Sequence, residues 1–327
     1  IRGEHERSVE TTRTLRDNAT ASGDNGLLTE ANWASGCAVF FTGQFSDTVR
    51  YERLVQETYD PELAALHSQV SFQNCGPLSQ AYLANGLWAL GHAQEAMERI
   101  DKAVQFSEEI NHPFTAAVTY WHAAKQGQLM RDAKRTAHRA EQTIAISDEL
   151  GFAFWSALGT CSLGAAHCLE GRYEEAVETI QTGINNVVAT GADIVLTAGY
   201  GFLAESYWGL GEHRQAWSAL REAFRRVDRN ERFFEAELYR LKGQFQTEQG
   251  EMYSARESFE RSLDTARNQQ ARSFELRTAV SLTKLLRLED EPNEARSLLE
   301  ACLAGFDQDP GTPDSEEARR LLGELSG

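Results

Sequence analysis

Small residues recur along this chain at fixed distances from turn-forming residues, within stretches whose apolar positions have helical spacing. The turn residues, used here as markers, are Gly3, Gly43, Gly91, Arg131, Gly171, Gly211, Gly250 and Asp290. Five residues after each marker stands a serine, threonine or alanine, and seven residues before each marker from Gly43 onward stands a glycine, alanine or threonine. Two helices approach closely only where their side chains are small. The pattern therefore predicts a series of helical hairpins.

The hairpins repeat with a period of about 40 residues, apart from eight extra residues between the first two full units. Each unit has an apolar face that it cannot bury alone, so units of this kind stack into a solenoid. Nine residues after the markers stand Ile100, Ala140, Ile180, Leu220, Phe259 and Leu299, which would fill the interfaces. Prolines fall between or at the starts of the predicted helices, and no long run alternates with the period of a strand. We predict an all-α, right-handed superhelical solenoid.

The whole chain, 1–327, is predicted to form a single repeat domain. Residues 1–20 form the second helix of a truncated first repeat, residues 26–308 form about seven hairpins, and residues 314–327 form a C-terminal capping helix. The insertion lies near residues 59–77, where a long connection either laps over a binding surface or is simply solvated. Because the chain starts at Ile1 inside a repeat, we expect it to be a piece of a longer protein.

Two turns carry a resemblance to a known repeat. The segments 171–176 and 250–255, each with a turn glycine and an alanine five residues later, resemble the turn of the tetratricopeptide repeat. The longer period resembles the long-helix variety found in MalT-like regulators and bacterial signalling ATPases. Segments 235–243, 272–277 and 305–322 resemble the C-terminal repeat region of bacterial predicted ATPases fused to class III adenylyl or guanylyl cyclase domains. This resemblance implies that cyclase or ATPase domains would precede the region, since no motif of either is present here.

Composition narrows the possible partners. A net charge of −17 disfavours nucleic acid, whose binding draws on dense fields of Lys and Arg. No apolar run reaches the length of a membrane span, and no signal peptide heads the chain. The five cysteines are odd in number and contain no CxxC pair, which argues against a disulfide framework. We therefore expect a cytoplasmic protein with neither a nucleic-acid nor a membrane partner.

Several short motifs suggest catalysis or metal binding, but their positions in the predicted helices and their spacing argue against both. The stretch 199–204 imitates a dinucleotide fingerprint, but that fingerprint needs a preceding strand, and Ala204 occupies the small position inside a helix. Cys161 and Cys168 lie seven residues apart on one helical face, about ten ångströms along the axis, too far to chelate one zinc ion. The histidines form no recognisable nucleophilic arrangement. We predict no enzyme activity, no metal site and no cofactor.

The tetratricopeptide resemblance implies that the first helix of each hairpin lines a concave groove, through positions 10, 6 and 3 residues before the marker. From these positions we select nine aromatic or polar residues as candidates for partner binding: Trp33, Phe40, Asn85, Trp88, Trp121, Lys125, Glu205, Trp208 and Arg240. Aromatic side chains with a few polar groups are typical of recognition sites. The alternative is that the tryptophans wedge between neighbouring repeats as part of the core.

Two functions of different classes follow. The first is an interaction module whose groove holds a peptide, a protein or a neighbouring domain of the same polypeptide, and so regulates an attached output domain. The second, implied by the MalT-like resemblance, is a small-molecule sensor that binds a ligand such as a saccharide and controls a cyclase, ATPase or transcriptional domain. A deep, closed aromatic pocket would favour the sensor, and an open groove with paired polar groups would favour the interaction module.

Overall fold

The computed structural model describes residues 4–325, apart from the side chains at 66, 67 and 69–71. Within this range the chain forms helices and no strands. In chain order the helices are α1 His5–Ser22, α2 Asn25–Phe41, α3 Phe45–Thr58, α4 Pro61–Ser71, α5 Cys75–Ala89, α6 Ala93–Glu109, α7 Pro113–Met130, α8 Ala133–Leu150, α9 Ala153–Leu169, α10 Tyr173–Ala189, α11 Thr197–Gly209, α12 His213–Val227, α13 Glu235–Glu248, α14 Met252–Asn268, α15 Arg272–Leu288, α16 Pro292–Ala304 and α17 Pro313–Leu325. The predicted all-α solenoid of helical hairpins is confirmed.

The hairpins pair α2 with α3, α5 with α6, and then each successive pair through α15 and α16. Their turns need a left-handed backbone at the marker, where Gly171 has φ of 76° and Gly211 of 75°. Arg131 and Asp290 adopt the same conformation, with φ of 56° and 61°. A left-handed residue is the usual way to end a helix, and glycine adopts it without steric cost. The repeat register therefore holds even where the turn residue is not glycine.

Close approach within a hairpin depends on the small positions. A Cβ added to Gly164 on α9 would lie 2.5 Å from Cγ1 of Ile180 on α10. Ala176 and Ala216, at the small positions of the facing helices, are fully buried. Because protein interiors are close-packed, a larger side chain at these crossings would force the helices apart.

In the hairpins from α5–α6 to α15–α16 the position nine residues after the marker is buried, as Ile100, Ile180 and Leu220 show. In α3 the same position holds Glu52, which is also fully buried. Its carboxylate packs against Gly36, where an added Cβ would lie 2.1 Å from Oε1. Neither carboxylate oxygen has a hydrogen-bond partner within residues 4–325. The first hairpin thus buries an acid where the later hairpins bury aliphatic or aromatic side chains.

The segment between α3 and α5 contains an additional helix, α4. It begins after Asp60, whose carboxylate accepts hydrogen bonds from the backbone N–H groups of Glu62 and Leu63, and Pro61 occupies its first position. Both features favour the start of a helix. The predicted insertion near 59–77 is therefore partly helical.

The solenoid winds far enough for its early hairpins to meet its late ones. The carbonyl oxygen of Phe41, at the end of α2, accepts hydrogen bonds from the backbone N–H groups of Arg232 (2.7 Å) and Phe233 (3.2 Å) in the α12–α13 connection. The carbonyl of Trp88 in α5 accepts one from the hydroxyl of Ser273 (2.5 Å).

The last turn of α7 makes the same kind of contact. The carbonyl of Leu129 accepts a hydrogen bond from the guanidinium of Arg277 on α15 (2.7 Å). The last carbonyls of a helix have no partner inside the helix. Three successive first helices thus have their C-terminal carbonyls satisfied by donors from much later in the chain. We call this set of hydrogen bonds, with the ring contacts around it, the closing contact.

Candidate functional site

Most candidate residues on the inner face are buried, some by the closing contact and others by the neighbouring hairpins. Phe40, Asn85, Trp88, Trp121, Lys125, Trp208 and Arg240 are all buried, and Trp33 and Glu205 are half-buried. Exposure is 1% for Trp88, 4% for Trp121 and 8% for Trp208. The inner face is therefore a packed interior rather than an open groove.

Lys125 lies at the centre of an aromatic box. Its Nζ atom is 3.9 Å from the ring centroid of Trp121, 5.0 Å from that of Phe40, 5.1 Å from that of Phe41 and 4.9 Å from that of Phe233. These side chains come from α7, α2 and the α12–α13 connection, so the box exists only because the solenoid closes. The negative faces of aromatic rings attract a cation at such distances. Phe40, Trp121 and Lys125 are thus brought together in one cluster.

The ammonium group of Lys125 has no hydrogen-bond partner within the described residues, although the side chain is only 4% exposed. Burial lowers the pKa of Lys125 well below its usual value, and the charge of Glu231 opposes that change. Glu231 is already engaged, because its carboxylate accepts hydrogen bonds from the backbone N–H groups of Val195 and Thr197, each at 2.8 Å. Lys125 is therefore a buried base without a paired acid.

A small cavity of about 20 Å³ lies beside Lys125, between α7, α9 and α11. Leu158, Cys161 and Ala165 line its buried side, whereas Gln128 and Gly199 on its rim are half-buried. A space of this size holds about one water-sized group. We call this space the Lys125 pocket.

Val195, which also lines the Lys125 pocket, has a positive φ of 65°. A β-branched residue rarely adopts this conformation, because its side chain clashes with the backbone. The two hydrogen bonds from Val195 and Thr197 to Glu231 hold the backbone in place where α11 begins. The wall of the pocket is thus fixed by a strained residue and a buried carboxylate.

Asn85 lies in a hydrogen-bonded network between α5 and α7. Its amide nitrogen donates to Oε1 of Gln126 (2.9 Å), and its Oδ1 lies 2.9 Å from Nδ1 of His122. Burial, and then the charge of Lys125, lower the pKa of His122 well below its usual value. The imidazole is neutral at pH 7 and donates to Asn85. This network joins two neighbouring hairpins and lies one helical turn from the aromatic box.

A second polar group surrounds Glu237 on α13. The guanidinium of Arg240 donates two hydrogen bonds to its carboxylate, at 2.8 and 3.0 Å. Arg277 lies 3.8 Å away and Arg131 lies 3.9 Å away. Burial alone would raise the pKa of Glu237, but the three arginines lower it to about 2. The carboxylate is ionised across the physiological range.

Two further carboxylates, on α11 and α17, pair with Arg131 and Arg277. Arg131 donates to Glu205 on α11 at 3.0 Å, and Arg277 donates to Asp314 on α17 at 2.9 Å. Buried ion pairs contribute little net stability, but removal of one partner is strongly destabilising. The cluster therefore ties four helices together across the interior.

Trp88 and Trp208 pack as aromatic wedges between helices. Trp208 stacks on Phe245 with ring centroids 4.1 Å apart, and its indole N–H donates to Glu248 at 2.6 Å. Trp88 packs edge to face against Phe274 at 5.0 Å. Its indole N–H has no hydrogen-bond partner within the described residues. These contacts agree with the alternative that the tryptophans form part of the core of the free protein.

The interior contains residues that sequence reasoning missed, chiefly Glu237, Arg277, His122 and Phe233. Glu237 and Arg277 each stand 13 residues before a marker, on the same inner face and one turn before the positions considered. Four other hairpins have aliphatic residues there, such as Leu158, and the first has Glu30. Charge at a position that is apolar in most hairpins was the available signal. Phe233 lies in a connection outside the repeating helices, so the repeat pattern gave no signal for it.

The rejected motifs lie in helices. Residues 199–204 fall inside α11, with no preceding strand in the described part of the chain. Burial raises the pKa of the Cys161 thiol to about 12, so it is protonated and unreactive. Among residues 4–325, no group of three or more His, Cys, Asp and Glu side chains is placed to hold a metal ion. None of the helices described is both long and apolar enough to cross a membrane.

Comparison with solved structures identifies the architecture. The chain is similar to a Rap protein complexed with competence and sporulation factor, with a TM-score of 0.61 and 11% identity over 99% of this chain and 93% of that chain. It is also similar to the apo form of RapI, with a TM-score of 0.54 and 10% identity over 90% of this chain and 99% of that chain. No family model and no curated protein matches the sequence. At these identities the likeness shows the fold alone, a tetratricopeptide-type helical solenoid.

Proposed function

We propose that this chain is a non-catalytic interaction module that binds a peptide, a protein segment or a neighbouring domain in the interior of its superhelix. The observation that carries the proposal is the composition of that interior. It holds a lysine without a paired acid, a cluster of arginines and acids, and tryptophans on one continuous face. Such side chains are characteristic of recognition surfaces, where a few aromatic and arginine residues dominate the binding energy.

The closing contact gives this module two states. In the closed state described above, the candidate residues contact one another and the late hairpins. In the open state the same aromatic and charged groups become available to a partner. A partner that binds only the open state shifts the population toward it, by as much as its affinities for the two states differ. Binding is thereby converted into a change of shape that an attached domain can sense.

The likeness to the Rap protein supports a binding role for this architecture. That protein was crystallised with competence and sporulation factor, so a solenoid of this fold accommodates a factor. The residues behind the MalT-like and cyclase-fusion resemblance support a more specific setting. In that setting the module belongs to a bacterial multidomain signalling protein in the cytoplasm and regulates a cyclase, ATPase or transcriptional output domain.

The alternative is a small-molecule sensor, favoured by the presence of the Lys125 pocket. Pockets for whole small molecules usually measure about 300–1,000 Å³, whereas this one measures about 20 Å³. A saccharide therefore fits only after the interior opens. Native mass spectrometry of the purified chain tests this alternative, because a co-purifying metabolite would favour the sensor.

Selection of displayed random peptides on the purified chain tests the main proposal. Photo-crosslinking of the selected peptides is expected to label the first helices α5, α7, α11 and α13. The matched variants are Glu205→Gln on the inner face and Glu222→Gln on the second helix α12. We expect the first to weaken binding about tenfold and the second to leave it unchanged. Crosslinks confined to the second helices, or failure to select any peptide, would contradict the proposal.

A further inference from the structure

We propose that Lys125 anchors a carboxylate group of the bound partner in the Lys125 pocket, an inference that rests on the binding function proposed above. The carboxylate is supplied by the C-terminus of a peptide, by an acidic side chain or by a small organic acid. Each presents the same two oxygens to the ammonium group.

The first argument is the missing counter-charge. A buried charge is normally paired and hydrogen-bonded, because leaving water costs far more than burial of an apolar group. Lys125 has no hydrogen-bond acceptor within the described residues. Its acidic neighbour Glu231 has both oxygens occupied by N–H groups at the start of α11. The protein therefore supplies a buried amine and leaves its hydrogen-bond acceptor to be provided from outside.

The second argument is the aromatic box. Four ring faces within 5.1 Å of Nζ favour the charged amine and fix its position. They offer it no hydrogen bond, so all three N–H groups remain available. An ammonium that is held in place before binding loses less entropy when a ligand arrives. In the closed state the box therefore leaves the amine free to take an acceptor through the Lys125 pocket. When the closing contact opens, the ring of Trp121, on the same helix as Lys125, stays beside the amine.

The third argument is access. Lys125 lines the same pocket as the half-buried residues Gln128 and Gly199, so the buried amine lies beside a space that reaches partly exposed residues. About one water-sized group fits in this space, so it takes a single carboxylate oxygen and not a bulky anion. A phosphate usually needs several donors, such as an arginine fork or a row of backbone N–H groups. The single amine matches a carboxylate better.

The strained backbone at Val195 agrees with a fixed site. A positive φ at a β-branched residue persists only where the surroundings enforce it, and here Glu231 does so. The result is a wall of the Lys125 pocket that does not collapse onto the amine.

The direct test uses acetate as the probe and neutral acetamide as its isostere. The chain has five lysines, so labelling with [ε-¹³C]lysine gives five NMR signals, and Lys125→Met assigns the one of interest. We expect acetate to shift the Lys125 signal saturably and to raise its pKa, because a negative charge beside an ammonium favours its protonated form. Acetamide should leave it unchanged. A Lys125 signal that moves no more than the other four in acetate would overturn the proposal.

The second test uses peptides selected on the purified chain. Each is compared as the C-terminal acid, as the C-terminal amide, and with its Asp and Glu residues replaced by Asn and Gln. Loss of the anchoring carboxylate should weaken binding about tenfold or more, and the difference should vanish in Lys125→Met. That variant should melt at a higher temperature than the parent, because methionine fills the aromatic box without a buried charge.

These comparisons show where the carboxylate comes from, and they distinguish failure of the carboxylate anchor from failure of the interaction module. An effect of the amide assigns the peptide terminus, and an effect of the Asn and Gln replacements assigns a side chain. Binding that is indifferent to both, and equal in Lys125→Met, would overturn the carboxylate anchor and leave the interaction module standing. If acetate shifts the Lys125 signal but no peptide can be selected on the chain, the interaction module is overturned and the carboxylate belongs to a small organic acid.

Discussion

The indole ring of Trp88 packs edge to face against the ring of Phe274, with their centroids 5.0 Å apart. Trp88 lies near the end of the first helix of the second hairpin, and Phe274 lies at the start of the first helix of the last one. The hydroxyl of Ser273 donates to the carbonyl of Trp88 beside this ring pair. A solenoid normally makes contacts only between neighbouring repeats. This contact instead couples hairpins that are distant in sequence, so the array gains a second, long-range source of cooperativity.

The first prediction concerns that ring pair. Trp88→Ala removes a side chain that is 1% exposed, and truncation of a buried aromatic residue costs about 3–5 kcal/mol. We expect the free energy of unfolding to fall by that amount, as measured by urea denaturation. Tyr253→Ala, at a side chain that is 77% exposed, serves as the control and should change it by less than about 0.5 kcal/mol. Equal effects of the two substitutions would show that Trp88 is not part of the core.

The role of Trp88 and Trp208 in binding stays a separate prediction. Because both are buried in the closed state, their alanine variants must be compared for binding under conditions where each is fully folded, as verified by circular dichroism. We expect weaker binding of a selected peptide by both. Unchanged affinity in the folded fraction would assign these two side chains to the core alone.

The second prediction concerns the helix crossings. Ala176→Leu places a larger side chain at a fully buried position of α10. Overpacking typically costs about 1–3 kcal/mol, so we expect a lower melting temperature in calorimetry. Ala189→Leu, at an exposed position of the same helix, is the matched control. If both variants melt like the parent, the small positions do not set the hairpin geometry.

The third prediction concerns Glu52. Replacement by leucine restores the side-chain type found at the equivalent positions Leu220 and Leu299. It also removes a buried acid whose oxygens have no hydrogen-bond partner within residues 4–325. Such a group costs about 1–3 kcal/mol, so Glu52→Leu should raise the free energy of unfolding at pH 7 by about this amount. Glu178→Leu, at an exposed position of α10, should not.

The pH dependence gives Glu52 a second signature. Burial raises the pKa of Glu52 well above its usual value of 4.5, so the folded state binds a proton that the unfolded state releases. Stability from this group is therefore fully present below about pH 4.5 and is lost as the pH rises toward the folded pKa. The difference in free energy between parent and Glu52→Leu should widen with pH over that window. A constant difference would mean that Glu52 is ionised or solvated in the folded state.

The fourth prediction concerns the arginine cluster. Arg277→Met leaves the carbonyl of Leu129 without its donor and Glu237 without one of its arginines. Breaking a buried ion pair costs about 3–5 kcal/mol. Arg287→Met on the same helix breaks an exposed pair with Glu324 and should cost at most about 1 kcal/mol. Chemical denaturation of the two variants makes the comparison.

Acid titration provides the second readout for this cluster. The pKa of Glu237 is about 2 when folded, against a usual value of 4.5. Its contribution to stability is therefore present above about pH 4.5 and is lost as the pH falls toward 2. Because Arg277 helps to hold the folded pKa down, the loss should be smaller and should end at a higher pH in Arg277→Met. Coincident acid transitions in parent and variant would show that Arg277 does not act on Glu237.

The sequence was sufficient to predict the hairpins and their stacking, because these depend on local rules. Left-handed turns at Gly171 and Gly211 and small crossings at Ala176 and Ala216 repeat at fixed offsets, so each copy supports the others. The helix α4 was not predicted, although Asp60 and Pro61 are ordinary starting signals for a helix. Because α4 occurs once and is not repeated in the other units, no second copy supported its prediction.

The closing contact was beyond prediction from the pattern. An inner face with Trp88, Trp121 and Trp208 is compatible with an open groove and with a packed interior, since both place the same side chains on one side of the helices. The choice depends on the superhelical pitch, which sums small rotations over many hairpins. Phe233 and Arg277 contact the early hairpins only because these small rotations add up along the solenoid. Sequence spacing therefore identified the face and not what covers it.

Opening of the closing contact is the central claim, and locking it is the most direct test. Ser46 on α3 and Gln270 in the α14–α15 connection are hydrogen-bonded to each other at the exposed edge of this contact. Cysteines at both positions, bridged by a short bis-maleimide, would hold the early and late hairpins together, and either single cysteine variant treated alike is the control. The measurement is the affinity of the bridged chain for a selected peptide. We predict at least a tenfold loss on bridging and none in the controls. Equal affinity of the bridged and unbridged chains would contradict a partner site that opens from the interior.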